Sequence, residues 1–187
     1  NSLAENAGIK AGEKLCAVNG VSVHDIIELS YLVADEQIVL TIEDSECRQR
    51  QIVIEKYTDE ELGLEFEAAV FDGVTTCYNN CVLCFVDQMI PGMRESLYVR
   101  DDDYRLSFLY GNFITLTNMK EEDFEQIIKT HMSPLYISVH ATRPEVRCQM
   151  MNNRFAGELM SKINRLVEAG ISILSLIHIS EPTRRVV

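Results

Sequence analysis

A chain of 187 residues, 47% hydrophobic and 25% charged, has the balance of a soluble globular protein and room for one large domain or two small ones. Its net charge of −12 argues against nucleic acid or an anionic membrane as partner, because both reward clustered Lys and Arg. No run of eighteen apolar residues is present to cross a bilayer.

Residues 1–56 read as a small, mainly β unit. In "EKLCAVNGVSVHD" the pair Asn19-Gly20 stands between apolar runs, which signals a hairpin. "DIIELSYLV" spaces Ile26, Ile27, Tyr31 and Leu32 near helical period. Gln37–Asp44 and Gln51–Lys56 read as two strands, joined by a polar turn carrying Cys47 and two arginines. The acidic stretch "YTDEELGLEFE", residues 57–67, reads as a linker.

From Ala68 the pattern alternates between strand and helix, the mark of an α/β unit with a parallel sheet. "AAVFDG" reads as a strand, "CVLCFVDQM" as a helical turn, and "YRLSFLYG" as a second strand ending at Gly111. "NMKEEDFEQIIKTHM" carries Phe124, Ile127, Ile128 and His131 on one helical face, with Asn118 and Glu121 spaced as a capping box. "PLYISVHA" is a third, nearly continuous apolar strand. Thr142 and Glu145 repeat the capping-box spacing around Pro144 and open a helix through "RPEVRCQMM". "GELMSKINRLVEAG" aligns Leu159, Ile163, Leu166 and Val167 and stops at Gly170. Another strand begins at Ile171.

Leu174–Arg184, "LSLIHISEPTR", is similar to the translation of a transposon-end adaptor used in sequencing libraries. Residues 174–187 are therefore read as a non-native tail, and His178 carries no functional argument. The start at Asn1, without Met or a signal peptide, reads as a fragment or a processed chain.

Six cysteines without a secretory signal point to a reducing compartment, the cytoplasm, where clustered thiols more often hold metal than form disulfides. Three of them, Cys77, Cys81 and Cys84, sit in "TTCYNNCVLCF" as C-x3-C-x2-C. Asn79 and Asn80 suit the bend between the first two, and an i, i+3 spacing puts Cys81 and Cys84 on one face of a helical turn. A structural zinc wants four ligands, as does an electron-transfer [4Fe–4S] cluster, and Cys148 or a histidine would have to complete either set. Three thiolates on a four-iron cluster instead leave one iron open. With a core of about +2 the oxidised centre carries about −1, and one more electron makes it about −2. Such a centre can bind a chelating small molecule at the open iron and pass it an electron.

Ser138 and His140, two apart in "SVHAT", fall on one side of the third strand, at the end where polar side chains of parallel strands often face a site. Cys148 reads as an unremarked helix thiol, and nothing pairs Cys16 with Cys47. Asp101–Asp103 reads, on charge alone, as a solvated acidic loop.

Two resemblances extend this reading. "AENAGIKAGEKLCAVNGVSVHD" is similar to the core of bacterial PDZ domains, over residues 1–56. The loop that grips a peptide carboxylate in that family would precede Asn1, and "ELGLEF" at Glu61–Phe66 bears only a superficial likeness to it. Peptide binding is therefore not carried over from the resemblance, and a peptide partner at this unit stays an open expectation. The cysteine loop resembles that of the radical S-adenosylmethionine superfamily, which follows the first strand of a partial (βα) barrel.

That second resemblance implies that Cys77, Cys81 and Cys84 hold a [4Fe–4S] cluster and that S-adenosyl-L-methionine chelates its fourth iron. Reductive cleavage to a 5′-deoxyadenosyl radical and hydrogen abstraction would follow, with an electron donor such as a flavodoxin or ferredoxin. Leu83 stands where the superfamily usually has an aromatic residue, with Phe85 one place later. Gly111-Asn112-Phe113 stands where it often has Gly-Gly-Glu, which implies cofactor contact at Gly111 and Asn112. Together with "LYVRDDDYRLSFLYGNF" and "SVHAT", the chain resembles a bacterial family that joins a PDZ-like domain to a radical S-adenosylmethionine domain and is classed as iron–sulfur oxidoreductases. The expected architecture is a PDZ-like unit over 1–56, a linker over 57–67, and the N-terminal half of the barrel over 68–173. The alternative is a structural-metal or electron-transfer iron–sulfur protein with a peptide-binding adaptor role.

Overall fold

The computed structural model describes residues 2–176, which divide into two compact units between Gly73 and Val74. Residues 177–187 lie outside the described residues, and with them His178 and most of the expected adaptor-derived tail. No helix among the described residues is long and apolar enough to cross a membrane.

The first unit is a four-stranded antiparallel sheet in the order β2-β1-β3-β4, with β1 Lys14–Val18, β2 Val21–Ser22, β3 Gln37–Glu43 and β4 Gln49–Glu55. Asn19 and Gly20 join β1 to β2, both at positive φ (51° and 79°), as the tight hairpin signal requires. The Asn19 side chain also accepts the Val39 N–H at 2.8 Å, tying the turn to β3. Two short helices complete the unit, α1 Leu3–Asn6 and α2 Ile26–Leu32; Ser2 and Asp25 cap them by accepting from the N–H groups of Glu5 and Glu28.

Alternation along β3 buries Ile38, Leu40 and Ile42, which cluster with Val18, Leu29 and Ile54. Residues 57–67 form no helix or strand, yet Leu62 is buried in this same cluster and its carbonyl accepts from Ala4 N–H. The strand expected at "AAVFDG" reduces to a single antiparallel bridge, Val70 to Asp25. A short apolar run cannot by itself say which sheet it will join, and here it closes onto the segment before α2.

The second unit is mixed α/β. Its helices are α3 Tyr104–Tyr110, α4 Glu121–Thr130, α5 Pro144–Met151 and α6 Leu159–Glu168; its strands β5 Leu135–Ser138 and β6 Ile173–Leu176 pair in parallel. Ile114 adds a parallel bridge to Ile137 on the other side of β5. The reading of residues 104–111 as a strand is overturned, for they form α3. Asp103 caps its start, and Gly111, at φ 76°, closes it in the left-handed region. Those two caps outweigh the strand-like alternation of Tyr104, Leu106 and Phe108 between them.

Neither expected capping box forms. α4 is opened by the Asp123 carboxylate accepting from Lys120 N–H at 2.7 Å, while the Asn118 amide donates to the Thr76 carbonyl instead. α5 begins directly on Pro144, with Arg143 before it and no side-chain cap. His131 is not part of the apolar face of α4; it is exposed and supplies the left-handed residue that ends the helix. The expected helical turn over 81–89 is reduced to a single 3-10 turn, Val86–Gln88. Ile114, Leu116, Ile127, Leu135, Ile137 and Leu166 are fully or almost fully buried in this unit, each worth about 1.5–3 kcal/mol of burial.

Candidate functional site

The cysteine loop is positioned by its flanks. Thr76 bridges Asp101, the Cys77 N–H donates to the Arg100 carbonyl at 2.8 Å, and Asp102 N–H donates to the Thr75 carbonyl at 2.8 Å. Further along, Asn80 and Val82 donate their N–H groups to the carbonyls of Met151 and Met150, at the end of α5. The loop carries no helix from Cys77 to Cys84, so it is shaped by what it is bonded to rather than by its own periodicity.

The acidic run supplies part of this bonding, and it is not a solvated loop. Asp102 and Asp103 are 3% and 1% exposed. Asp101 accepts from the Asn112 amide at 2.8 Å. Asp102 accepts from both the backbone and the hydroxyl of Thr115. Asp103 accepts from Thr75 N–H, from Arg105 N–H and, through both oxygens, from the Arg105 guanidinium. Asp102 and Asp103 are thus committed to separate stretches of backbone around the loop, and Asp101 to the Asn112 side chain. Burial raises the Asp102 carboxyl above its ordinary range despite the Thr115 hydrogen bonds. Burial also acts to raise Asp103, but its bonds to Arg105 and Thr75 together outweigh it and hold the group low.

Behind the loop lies Arg147, 2% exposed, on α5. Its guanidinium donates to four carbonyls, those of Val139 (2.9 Å), Ala156 (2.6 Å), Thr115 (2.8 Å) and Ser138 (3.1 Å). Burial pulls it down to about 10, and the charge of Asp102 opposes the fall. Asn79 is buried as well, and its amide touches Cys77 Sγ, Thr115, Thr117 and Asn153. Sequence reasoning assigned Asn79 only a place in a bend and left Arg147 unmentioned. A polar residue in an otherwise amphipathic helix gives no sign of the carbonyls that will surround it.

Cys77, Cys81 and Cys84 line one cavity of about 540 Å³, together with Leu83, Phe85, Asn112, Phe113, Ser138 and His140. All three thiols are free and half-buried. Burial raises Cys77, and it raises Cys81 to about 11, helped there by the neighbouring charges of Cys77 and Cys84. His140 is lowered, first by burial and then by the charge of Arg147; its Nδ1 lies 3.2 Å from the Ser138 carbonyl oxygen.

Among the described residues no three His, Cys, Asp or Glu side chains close on a single metal ion. The three thiols share a cavity instead, and as thiolates they would repel one another unless a cationic group stood among them. Gly111 does not line the cavity; it lies against the Tyr136 ring, at 3.4 Å from where its Cβ would stand. Cys148 is outside the lining too, and its thiol donates to the Arg154 carbonyl at 3.4 Å. Cys16 and Cys47 belong to the first unit.

Residues 1–44 match the PDZ domain family, and residues 56–181 match the Radical SAM-like domain family. Neither the curated proteins nor the solved structures contain a match to the chain. The second of the two family matches spans more than half of the chain and contains the whole cysteine cavity: this protein belongs to the radical SAM-like family, with a PDZ domain preceding that unit.

Proposed function

We propose that the protein is a radical S-adenosylmethionine iron–sulfur enzyme in which Cys77, Cys81 and Cys84 hold a [4Fe–4S] cluster, within the N-terminal half of a (βα) barrel. The observation that carries this reading is the count of thiols at the cavity: three line it, while Cys148 is turned to the Arg154 carbonyl. A closed four-thiolate centre has no fourth sulfur there. When bound, the cluster with S-adenosyl-L-methionine at its open iron supplies one-electron cleavage of that cofactor and a hydrogen-abstracting 5′-deoxyadenosyl radical.

The chain's own residues bind, orient and enclose. Leu83, Phe85 and Phe113 give the cavity apolar walls that stand open to solvent, ready to be covered by a bound ligand. Asn112, Ser138 and His140 offer polar groups for the cofactor's amino-acid and ribose ends, and Gly111 sets the turn that delivers Asn112. Burial and Arg147 keep His140 neutral near pH 7, able to accept or donate one hydrogen bond without adding charge. The PDZ domain adds a surface for a peptide partner, and the work is placed in the cytoplasm with a flavodoxin or ferredoxin as electron source.

Anaerobic reconstitution of the chain with iron and sulfide tests this. About four irons and four sulfides per chain are expected, with an electron paramagnetic resonance spectrum that changes when S-adenosylmethionine is added. Loss of the cluster in Cys77→Ala, Cys81→Ala or Cys84→Ala but not in Cys148→Ala supports the assignment. One zinc and no sulfide selects a structural-metal adaptor, and a cluster lost in Cys148→Ala selects an electron carrier.

A further inference from the structure

We infer that Asn79 is a positioning residue for this site: its buried amide donates an N–H to the Cys77 sulfur and makes that sulfur the least electron-rich of the three ligands. The inference rests on the cluster assignment above and goes beyond it, because it distinguishes one ligand from the other two.

The direction of the hydrogen bond follows from its neighbours. A backbone N–H can only donate, so the Phe155 N–H, 2.9 Å from Asn153 Oδ1, fixes that oxygen as an acceptor. Asn153 therefore presents its Nδ2 to Asn79, whose Oδ1 accepts at 2.7 Å. Asn79 must then turn its own Nδ2 the other way, towards Cys77 Sγ at 3.2 Å, Thr115 Oγ1 at 3.1 Å and Thr117 Oγ1 at 2.8 Å. The Thr115 hydroxyl is already a donor, to Asp102 Oδ2 at 2.6 Å, and so receives the amide as an acceptor. A relay of fixed donors thus runs from a backbone N–H to the sulfur, and a second relay runs from a buried carboxylate to the same amide.

Asn79 is 5% exposed, so water does not compete for this amide. Among the described residues Cys77 alone of the three thiols accepts a side-chain amide N–H. Hydrogen bonds to the sulfurs of an iron–sulfur centre withdraw electron density and raise its reduction potential. The geometry therefore places a potential-raising contact on one corner of the site.

The test compares reconstituted wild type, Asn79→Leu and Thr117→Val by redox titration. Asn79→Leu is expected to hold a cluster of lower midpoint potential. Thr117→Val removes one of three acceptors that share the two N–H groups of this amide without touching the sulfur, so it loses stability while its potential does not fall. A purely structural Asn79 would lower stability in both and the potential in neither, and equal potentials overturn the inference. If Asn79→Leu holds no cluster, wild type labelled with 15N in its asparagine side chains decides. Electron–nuclear coupling to an amide 15N and its exchangeable proton supports the inference, and its absence overturns it. A wild-type chain that assembles no cluster overturns the underlying assignment as well, whereas unchanged potentials in loaded variants overturn this inference alone.

Discussion

Asp102 holds Thr115 by two hydrogen bonds at once, one carboxylate oxygen taking the backbone N–H at 2.5 Å and the other the hydroxyl at 2.6 Å. The pair joins the acidic run to the segment that bridges β5, and Arg147 grips the Thr115 carbonyl from the other side. Asp102 and Arg147, 13 residues before and 32 residues after it, are thereby locked together behind the cysteine loop through a single threonine.

The first consequence concerns pH. Burial raises the Asp102 pKa in the folded chain, so folding binds the neutral carboxyl more tightly than the ionised one. The stability this contributes is fully present below the ordinary aspartate value of 3.8 and is lost as pH rises through the raised folded value. Asp102→Asn is isosteric and does not titrate. Urea midpoints measured for both proteins from pH 3 upward should show wild type losing ground to the variant across that window and then running parallel. A constant difference at every pH would contradict the assignment.

Arg147 supplies four hydrogen bonds from one side chain, and Arg147→Met removes that donor from four carbonyls at once. A loss of about 3–5 kcal/mol in the second unit is expected. Arg147→Lys should recover little of it, because an ammonium has three donors and no planar fork. Hydrogen exchange that reports each unit separately checks this, with protection falling in β5 and α5 and unchanged in β3 and β4.

Gly111→Ala tests a cap. The residue ends α3 at φ 76°, where an alanine is strained, and an added Cβ stands 3.4 Å from the Tyr136 ring. A cost of about 1 kcal/mol is expected, read as a lower thermal midpoint for the second unit.

In the first unit Gly63→Ala is the sharper substitution. The residue has φ 72°, and an added Cβ would lie 2.3 Å from the Ser2 Cβ, which real atoms do not tolerate. A loss of about 2–3 kcal/mol is expected, with protection of the Ala4 amide, bonded to the Leu62 carbonyl, reduced in hydrogen exchange.

How far the sequence reaches is visible residue by residue. Asn19-Gly20 announced its turn because positive φ at two successive positions is a local demand that few residue types meet. β3 was legible from alternation, and α6 from the spacing of Leu159 and Leu166 and the stop at Gly170, at φ 83°. Residues 104–110 were misread because Tyr, Leu and Phe at alternate positions mimic a strand. The signals that would have corrected this were present on both sides, in Asp103 and Gly111. Asn118 was spaced for a cap, but a nearby carbonyl, that of Thr76, took its amide.

At the site, the cysteine spacing by itself selected Cys77, Cys81 and Cys84; Ser138 and His140 line the same cavity, but His140 lies beyond the end of β5 at φ 61°, where strand alternation no longer applies. Spacing is a property of covalent geometry and survives without any knowledge of the fold. What only the tertiary structure decided is the burial of charge: Asp102, Asp103 and Arg147 belong to residue types that normally face water. They are inside because backbone groups from separate segments, at Thr75, Thr115, Val139 and Ala156, converge on them. A buried charge is stable only where enough such partners meet it, and their meeting is fixed by packing rather than by order along the chain.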